Sequence, residues 1–205
     1  MSTSADEPPR CWPTSDPLYA AYHDEEWGRP VTTEQGMYER LCLEGFQSGL
    51  SWLTILRKRE NFRAAFAGFD PDAVARFGEQ DVARLLGDAG IVRHRGKIEA
   101  TIANARGVLE LREAGAPLHE LVWAHAPERY EPPRTPADWH AQTSESKALS
   151  KRLKAAGFRF VGPTTLWAAM QASGVVNDHL TICWVREDVE AVRTRAASSA
   201  ARNPS

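Results

Sequence analysis

The sequence has no framework of paired cysteines, no long apolar run and no surplus of either charge. Its three cysteines, Cys11, Cys42 and Cys183, are odd in number and far apart, which excludes a disulfide-stapled fold and points to a reducing compartment. No stretch reaches the length of a membrane-spanning helix, and the polar, acidic start from Met1 to Pro9 lacks the apolar region of a secretion signal. A soluble, cytoplasmic, monomeric protein without membrane contact is therefore expected. The net charge is −2, so a polyanion could be met only through a local basic patch. Three patches are dense enough: Arg57-Lys58-Arg59, Arg93-His94-Arg95-Gly96-Lys97, and the series Lys147, Lys151, Arg152, Lys154, Arg159. Each alone reads equally as a solvated helix face. Strand patterning is also missing outside Phe158 to Val161, which leaves an all-α chain of 205 residues, one domain or two lobes sharing a cleft.

What the sequence does contain is helix punctuation. Ser15-Asp16-Pro17 opens a helix that should run to about Glu26 and stop at Gly28, with Tyr19, Tyr22, His23 and Glu26 on one side. Thr32 and Gln35 form a capping-box pattern for a second helix that aligns Met37, Leu41 and Glu44. Glu44 thus sits within Cys42 to Trp52 on a face that is otherwise apolar. An inward carboxylate there costs several kcal/mol unless something pairs with it, which marks a candidate site, a structural capping role being the alternative. Gly45 and Gly49 leave space for something to approach the backbone. Ser51 should cap a short helix bearing Trp52, Ile55 and Leu56, and Asn61 another bearing Phe62, Ala65 and Phe66. Asp70-Pro71 repeats the cap-plus-proline signal, and the longest amphipathic run lies between His94 and Gly115.

The proline-rich segment from Ala126 to Thr143 keeps no period and reads as a loop or lobe connection. Leu153 to Thr165 reads as a helix, a glycine-bounded hairpin and a second helix opened by proline and threonine. Such a hairpin can lay its amides against a DNA phosphate, an ordinary helical corner being equally open. Residues 186–205, rich in charge, Ala and Ser, are expected to form a disordered tail. His179 and Cys183 stand four apart and would point the same way if Asn177-Asp178 opened a helix, and Cys11 and His23 could complete a tetrahedral Cys2His2 set. An ordinary core or surface pair fits that spacing too. The seven tryptophans are by default core residues.

Beyond periodicity, a set of motifs carries a resemblance. Arg10-Cys11-Trp12, Asp16-Pro17-Leu18-Tyr19, Tyr22 to Gly28, Cys42-Leu43-Glu44-Gly45, Gly49-Leu50-Ser51-Trp52, Lys58 to Asn61, Arg93 to Ile98, Gly157 to Gly162 and Val176 to His179 resemble the constitutive bacterial type I 3-methyladenine DNA glycosylases, over roughly Arg10 to Cys183. The resemblance implies the helix-hairpin-helix DNA glycosylase fold over residues 10–185: two helical lobes flanking a base-binding cleft, the hairpin unit at about 148–174, and a flexible start at 1–9. It implies one structural zinc ion on Cys11, His23, His179 and Cys183, and base-pocket residues at Trp12, Tyr22, Trp27, Glu44 and Trp52. It implies DNA contacts at the hairpin, here Gly157, Arg159, Gly162 and Thr164. Two departures stand out: no glycine separates Cys11 from Trp12, and Phe46 stands where the family commonly has a polar residue.

The activity implied is release of 3-methyladenine from alkylated double-stranded DNA in base excision repair, leaving an abasic site. Methylation at N3 makes the base cationic and a good leaving group, so selection outweighs acid catalysis. Tyr22 and Trp52 can sandwich a flipped cationic ring, and Glu44, the candidate catalytic residue, can accept from its donor edge and offset its charge. No lysine follows Lys154, so Schiff-base lyase chemistry is not expected. The rival is a DNA-binding module that uses the same hairpin without catalysis.

Overall fold

Asp16 and Pro17 start the first helix as their chemistry dictates: the Asp16 carboxylate accepts from the Leu18 and Tyr19 amides, and proline fills the first turn of α1 (Pro17–Glu25). The structure is a computed structural model that describes residues 8–200, with side chains to residue 197; residues 1–7 and 201–205, which include most of the expected flexible start and the last of the expected tail, lie outside the described residues. The fold is all-helical among the described residues.

The second helix, α2 (Glu34–Gln47), begins one residue later than expected. Thr33, not Thr32, caps it through the Gly36 amide, while Gln35 reaches out to the Gly68 carbonyl and takes no part in a capping box. Ser51 caps α3 (Trp52–Ala65), which runs straight through Asn61. Asn61 was expected to start a new helix, but its side chain bonds the Gly90 carbonyl across the fold and leaves the helix unbroken. A 3-10 turn at Ala67–Phe69 leads to α4 (Pro71–Val74), capped by Asp70, then to α5 (Glu79–Gly87) and the long α6 (Arg95–Glu113), capped by His94. A short α7 (Leu118–Trp123) precedes the proline-rich loop, which holds only a 3-10 turn at Pro136–Asp138. Next come α8 (Ser144–Ala155), α9 (Pro163–Ala172) and α10 (Arg186–Ala200).

Helix α2 lies at the centre and packs against α3, α6, α7 and α9. Its inward residues Met37, Tyr38, Leu41 and Phe46 are fully buried, and Phe46 stacks into an aromatic row with Phe62 and Phe66. Phe46 therefore belongs to the core and does not line the aromatic cavity described below. The room beside Gly45 is also filled: a Cβ there would rest in ordinary contact with the Phe160 Cβ at 3.5 Å, so this position faces the α8–α9 turn rather than a ligand.

The expected disordered tail from residue 186 is instead helical through Ala200. Val189 is fully buried, and the Glu190 carboxylate accepts from Asn177 and pairs with Arg193. The buried Val189 and the hydrogen bonds that Asn177 and Arg186 make across this junction hold what composition alone made look unstructured. The N-terminal strand of chain runs beside this region, with the Trp184 amide donating to the Pro9 carbonyl. Elsewhere, Gly174 lets the chain after α1 pass close to the end of α9: it sits at φ +70°, with the Gly28 carbonyl only 2.6 Å from where a Cβ would stand.

Candidate functional site

A cavity of about 390 Å3 opens between the N-terminal segment with α1, the end of α2 with the start of α3, the proline-rich loop, and α9. Trp12, Tyr22, Trp27, Glu44 and Trp52, all singled out from the sequence, line it together. Two helical spacings and one cap do this. Tyr19 and Tyr22 share one side of α1, Glu44 and Gln47 share one side of α2, and the Ser51 cap turns the chain so that Trp52 enters the cavity at the first residue of α3. Tyr22 and Trp52 stand with ring centroids 5.3 Å apart and planes inclined at 43°. Trp12 meets Trp27 edge-on at 5.0 Å and lies against Tyr19 at 5.3 Å, so the missing glycine before it has not moved its indole out of the cavity.

Glu44 is 5% exposed, and among the described residues no group donates a hydrogen bond to it. Burial pushes its carboxyl up to about 7, against the opposing pull of Arg40 one helical turn earlier. Arg40 stands outside the lining, 5.8 Å from both the Tyr22 and Trp52 ring centroids, and donates to the Tyr22 hydroxyl at 3.3 Å. The indole N–H groups of Trp12 and Trp52 are buried without acceptors. An unmet buried donor costs about 1–3 kcal/mol. Both indole nitrogens are enclosed by protein, so the polar group that the aromatic cavity offers a ligand is the Glu44 carboxyl, which has no protein donor.

Sequence reasoning missed Tyr19, Gln47, Trp139, His140, Ala168 and Gln171 as lining residues. Tyr19 had a usable signal, since it shares the α1 face of Tyr22. Trp139 lies in the loop that showed no period, and its position depends on its indole donating to the Asp178 carbonyl 39 residues away.

The second assembly lies directly behind Trp12 and Trp27. Cys11, His23, His179 and Cys183 are all buried, and their ligand atoms fall within 4.8 Å of one another. His179 does not reach Cys183 through a helix, as expected; residues 177–185 form successive turns, closed by the Cys183 amide on the Leu180 carbonyl. The Cys11–His179, Cys183–His179 and Cys183–His23 separations are 3.3, 3.4 and 3.6 Å. With bonds of ~2.3 Å to sulfur and ~2.0–2.1 Å to nitrogen, a tetrahedral ion sets sulfur and nitrogen about 3.5 Å apart. The donor set fits a metal of zinc's kind. Outer contacts fix the rings: the second nitrogen of His23 bonds Asp24, itself paired with Arg10, and that of His179 donates to the Trp27 carbonyl. The Cys11 thiol beside Cys183, with both histidines, draws Cys183 well below the usual thiol range, while that pairing and burial push Cys11 up.

The remaining expected residues lie in the α8–α9 turn. Gly157 is exposed at φ +79°, Gly162 caps α9 ahead of Pro163, and Thr164 is exposed in the first turn of α9. The turn is clamped from below, since Asn104 accepts from the Arg159 amide and donates to the Arg159 carbonyl. The Arg159 side chain is free to face solvent, with Glu99 4.0 Å away. No strand forms at Phe158 to Val161, and Phe160 takes a left-handed φ of 56°.

Residues 12–187 match the methyladenine glycosylase family. DNA-3-methyladenine glycosylase 1 of Escherichia coli (strain K12) is 52% identical over 178 residues, 85% of this chain and 95% of that protein. A crystal structure of a 3-methyladenine DNA glycosylase I superposes with a TM-score of 0.83 at 47% identity, covering 86% of this chain and 98% of the other. A variant 3-methyladenine DNA glycosylase I, solved in complex with 3-methyladenine, superposes with a TM-score of 0.80 at 35% identity, covering 84% and 94%.

Proposed function

The chain belongs to the methyladenine glycosylase family, and on that premise we propose that it removes 3-methyladenine from alkylated DNA as a hydrolytic glycosylase of base excision repair. Glu44 carries the proposal: a buried carboxyl without a protein donor, at the floor of an aromatic cavity. A carboxylate so placed accepts hydrogen bonds from the donor edge of the base and offsets its positive charge. Tyr22 and Trp52 supply ring faces whose quadrupoles favour a cationic ring by about 0.5–2 kcal/mol each. Trp12 and Trp27 close the far wall. Neutral, unmethylated bases gain less from each of these groups.

Reaction begins once the nucleotide has left the stack and entered the cavity. The bond between C1′ and the base breaks with its electron pair passing to the base, which cancels the charge that methylation placed there. Water adds to the oxocarbenium-like sugar and gives its proton to solvent, leaving an abasic site. Glu44 acts by selecting and holding the base. No lysine lines the cavity, and the only buried lysine among the described residues, Lys97, donates to the Phe46 and Ser48 carbonyls at the end of α2. Hydrolysis without a Schiff base follows, and borohydride should trap no protein–DNA adduct.

Gly157, Arg159, Gly162 and Thr164 offer backbone amides and one cation to a phosphate of the duplex, and Lys151, Arg152 and Lys154 extend that charge along α8. Cys11, His23, His179 and Cys183 would hold one zinc ion, whose four protein ligands leave no position for an activated water, so its contribution is structural. The test is incubation of the purified protein with methylated duplex DNA and chromatography of the released bases. Free 3-methyladenine is expected. Tight duplex binding with no released base would instead favour a DNA-binding module.

A further inference from the structure

Asp178 is fully buried beside the metal cluster but is no ligand; its two carboxylate oxygens accept from the Tyr130 hydroxyl and from Nε2 of Gln171. Gln171 lines the cavity from α9. A carboxylate offers only acceptors, so it dictates how the Gln171 amide is turned: the amino end must face Asp178 and the carbonyl end must face elsewhere. Among the described residues nothing donates to that carbonyl oxygen. From this geometry we infer that Gln171 is a specificity-determining residue that presents an acceptor to the 6-position of the bound base, and that Asp178 is the positioning residue that sets its polarity.

The inference rests on the cavity being a base site and adds the chemistry it selects. A 6-amino purine presents a donor at that edge, whereas a 6-oxo purine presents an acceptor. An acceptor facing an acceptor leaves two buried polar atoms unmet, so the fixed Gln171 carbonyl favours the amino base and disfavours the oxo base. Replacing Asp178 by asparagine reverses the constraint. The Tyr130 hydroxyl keeps an acceptor in the new amide oxygen, but the new amino group now faces Gln171, which must flip and show its own amino group to the cavity.

The experiment titrates 3-methyladenine and 3-methylhypoxanthine, its 6-oxo counterpart, into the metal-loaded protein and follows tryptophan fluorescence. The wild type should prefer the amino base, and Asp178→Asn should lower that preference at least tenfold, about 1.4 kcal/mol. Gln171→Met should lower it too, and adding Asp178→Asn to Gln171→Met should change it no further. An unchanged preference in folded Asp178→Asn overturns the inference; if that variant does not fold, an unchanged preference in Gln171→Met overturns it. A wild type that binds neither base fails the proposed function itself, a different result from binding 3-methyladenine without this selectivity.

Discussion

Glu44 and Arg40 face each other one helical turn apart, and the balance between them sets the charge at the cavity floor. Burial raises the folded value of Glu44 from 4.5 to about 7, so the fold favours the protonated carboxyl. Its contribution is therefore fully present below about pH 4.5 and is lost as the pH rises through about 7. The difference corresponds to about 3 kcal/mol. Glu44→Gln removes the titration, so the variant should gain up to about 3 kcal/mol on the wild type between pH 4 and pH 8, as read from urea unfolding at both. It should also lose affinity for 3-methyladenine at pH 8. A stability difference that does not change with pH would mean that Glu44 is not buried as described. The proposal thus ties selectivity to a destabilising group, in keeping with the strain that functional sites store. At the α8–α9 turn the same scale gives a second expectation. Arg159→Ala should weaken duplex binding and lower the slope of log K against log salt by about one, measured by fluorescence anisotropy at several salt concentrations.

At the scale of elements, the end of α2 is the sensitive junction. Glu44 and Gln47 leave the helix just before a loop of four residues that delivers Trp52, so any drift of that loop moves Trp52 against Tyr22. Lys97, in the first turn of α6, holds the junction by donating to the Phe46 and Ser48 carbonyls at 2.8 and 2.6 Å. Burial lowers the pKa of its ammonium, so the cation is kept by those carbonyls at the negative end of the α2 dipole rather than by water. Lys97→Met keeps the aliphatic stem and leaves the carbonyls unmet. It should cost about 2–3 kcal/mol in urea unfolding and, by loosening Trp52, reduce the fluorescence quenching on base binding. Element boundaries also show what a sequence reveals. The starts of α1, α3 and α4 are legible in Asp16, Ser51 and Asp70 because capping is chemistry between residues two or three apart. Asn61 misleads because its side chain answers to Gly90, and residues 177–185 mislead because their turns follow contacts with Cys11, 168 and 169 residues away, instead of helix propensity.

Over the whole molecule, the four candidate ligands join the first described residues to the segment before α10. Cys183→Ala should empty or weaken the metal site, read by elemental analysis, and lower the melting temperature by several degrees; chelation of the wild type should do the same. Unaltered metal content would remove Cys183 from the ligand set. The family motifs make the cavity's tyrosine, glutamate and tryptophans legible in the sequence, because they stand in short local patterns. Trp139, Gln171 and Asp178 were not legible as a group, since their meaning lies in bonds spanning 7 to 48 residues. The helical end from Arg186 was hidden for the same reason: one buried valine, Val189, outweighs a composition of Ala, Ser and charge.

The division of the ligand set along the chain has its own consequence. Cys11 and His23 lie before the proline-rich loop, and His179 and Cys183 lie after it. A single proteolytic cut between residues 126 and 133 would produce two pieces, each holding half of the coordination sphere. An ion held there would rivet the fragments together, in addition to the packing of α2 against α9 that spans the same cut.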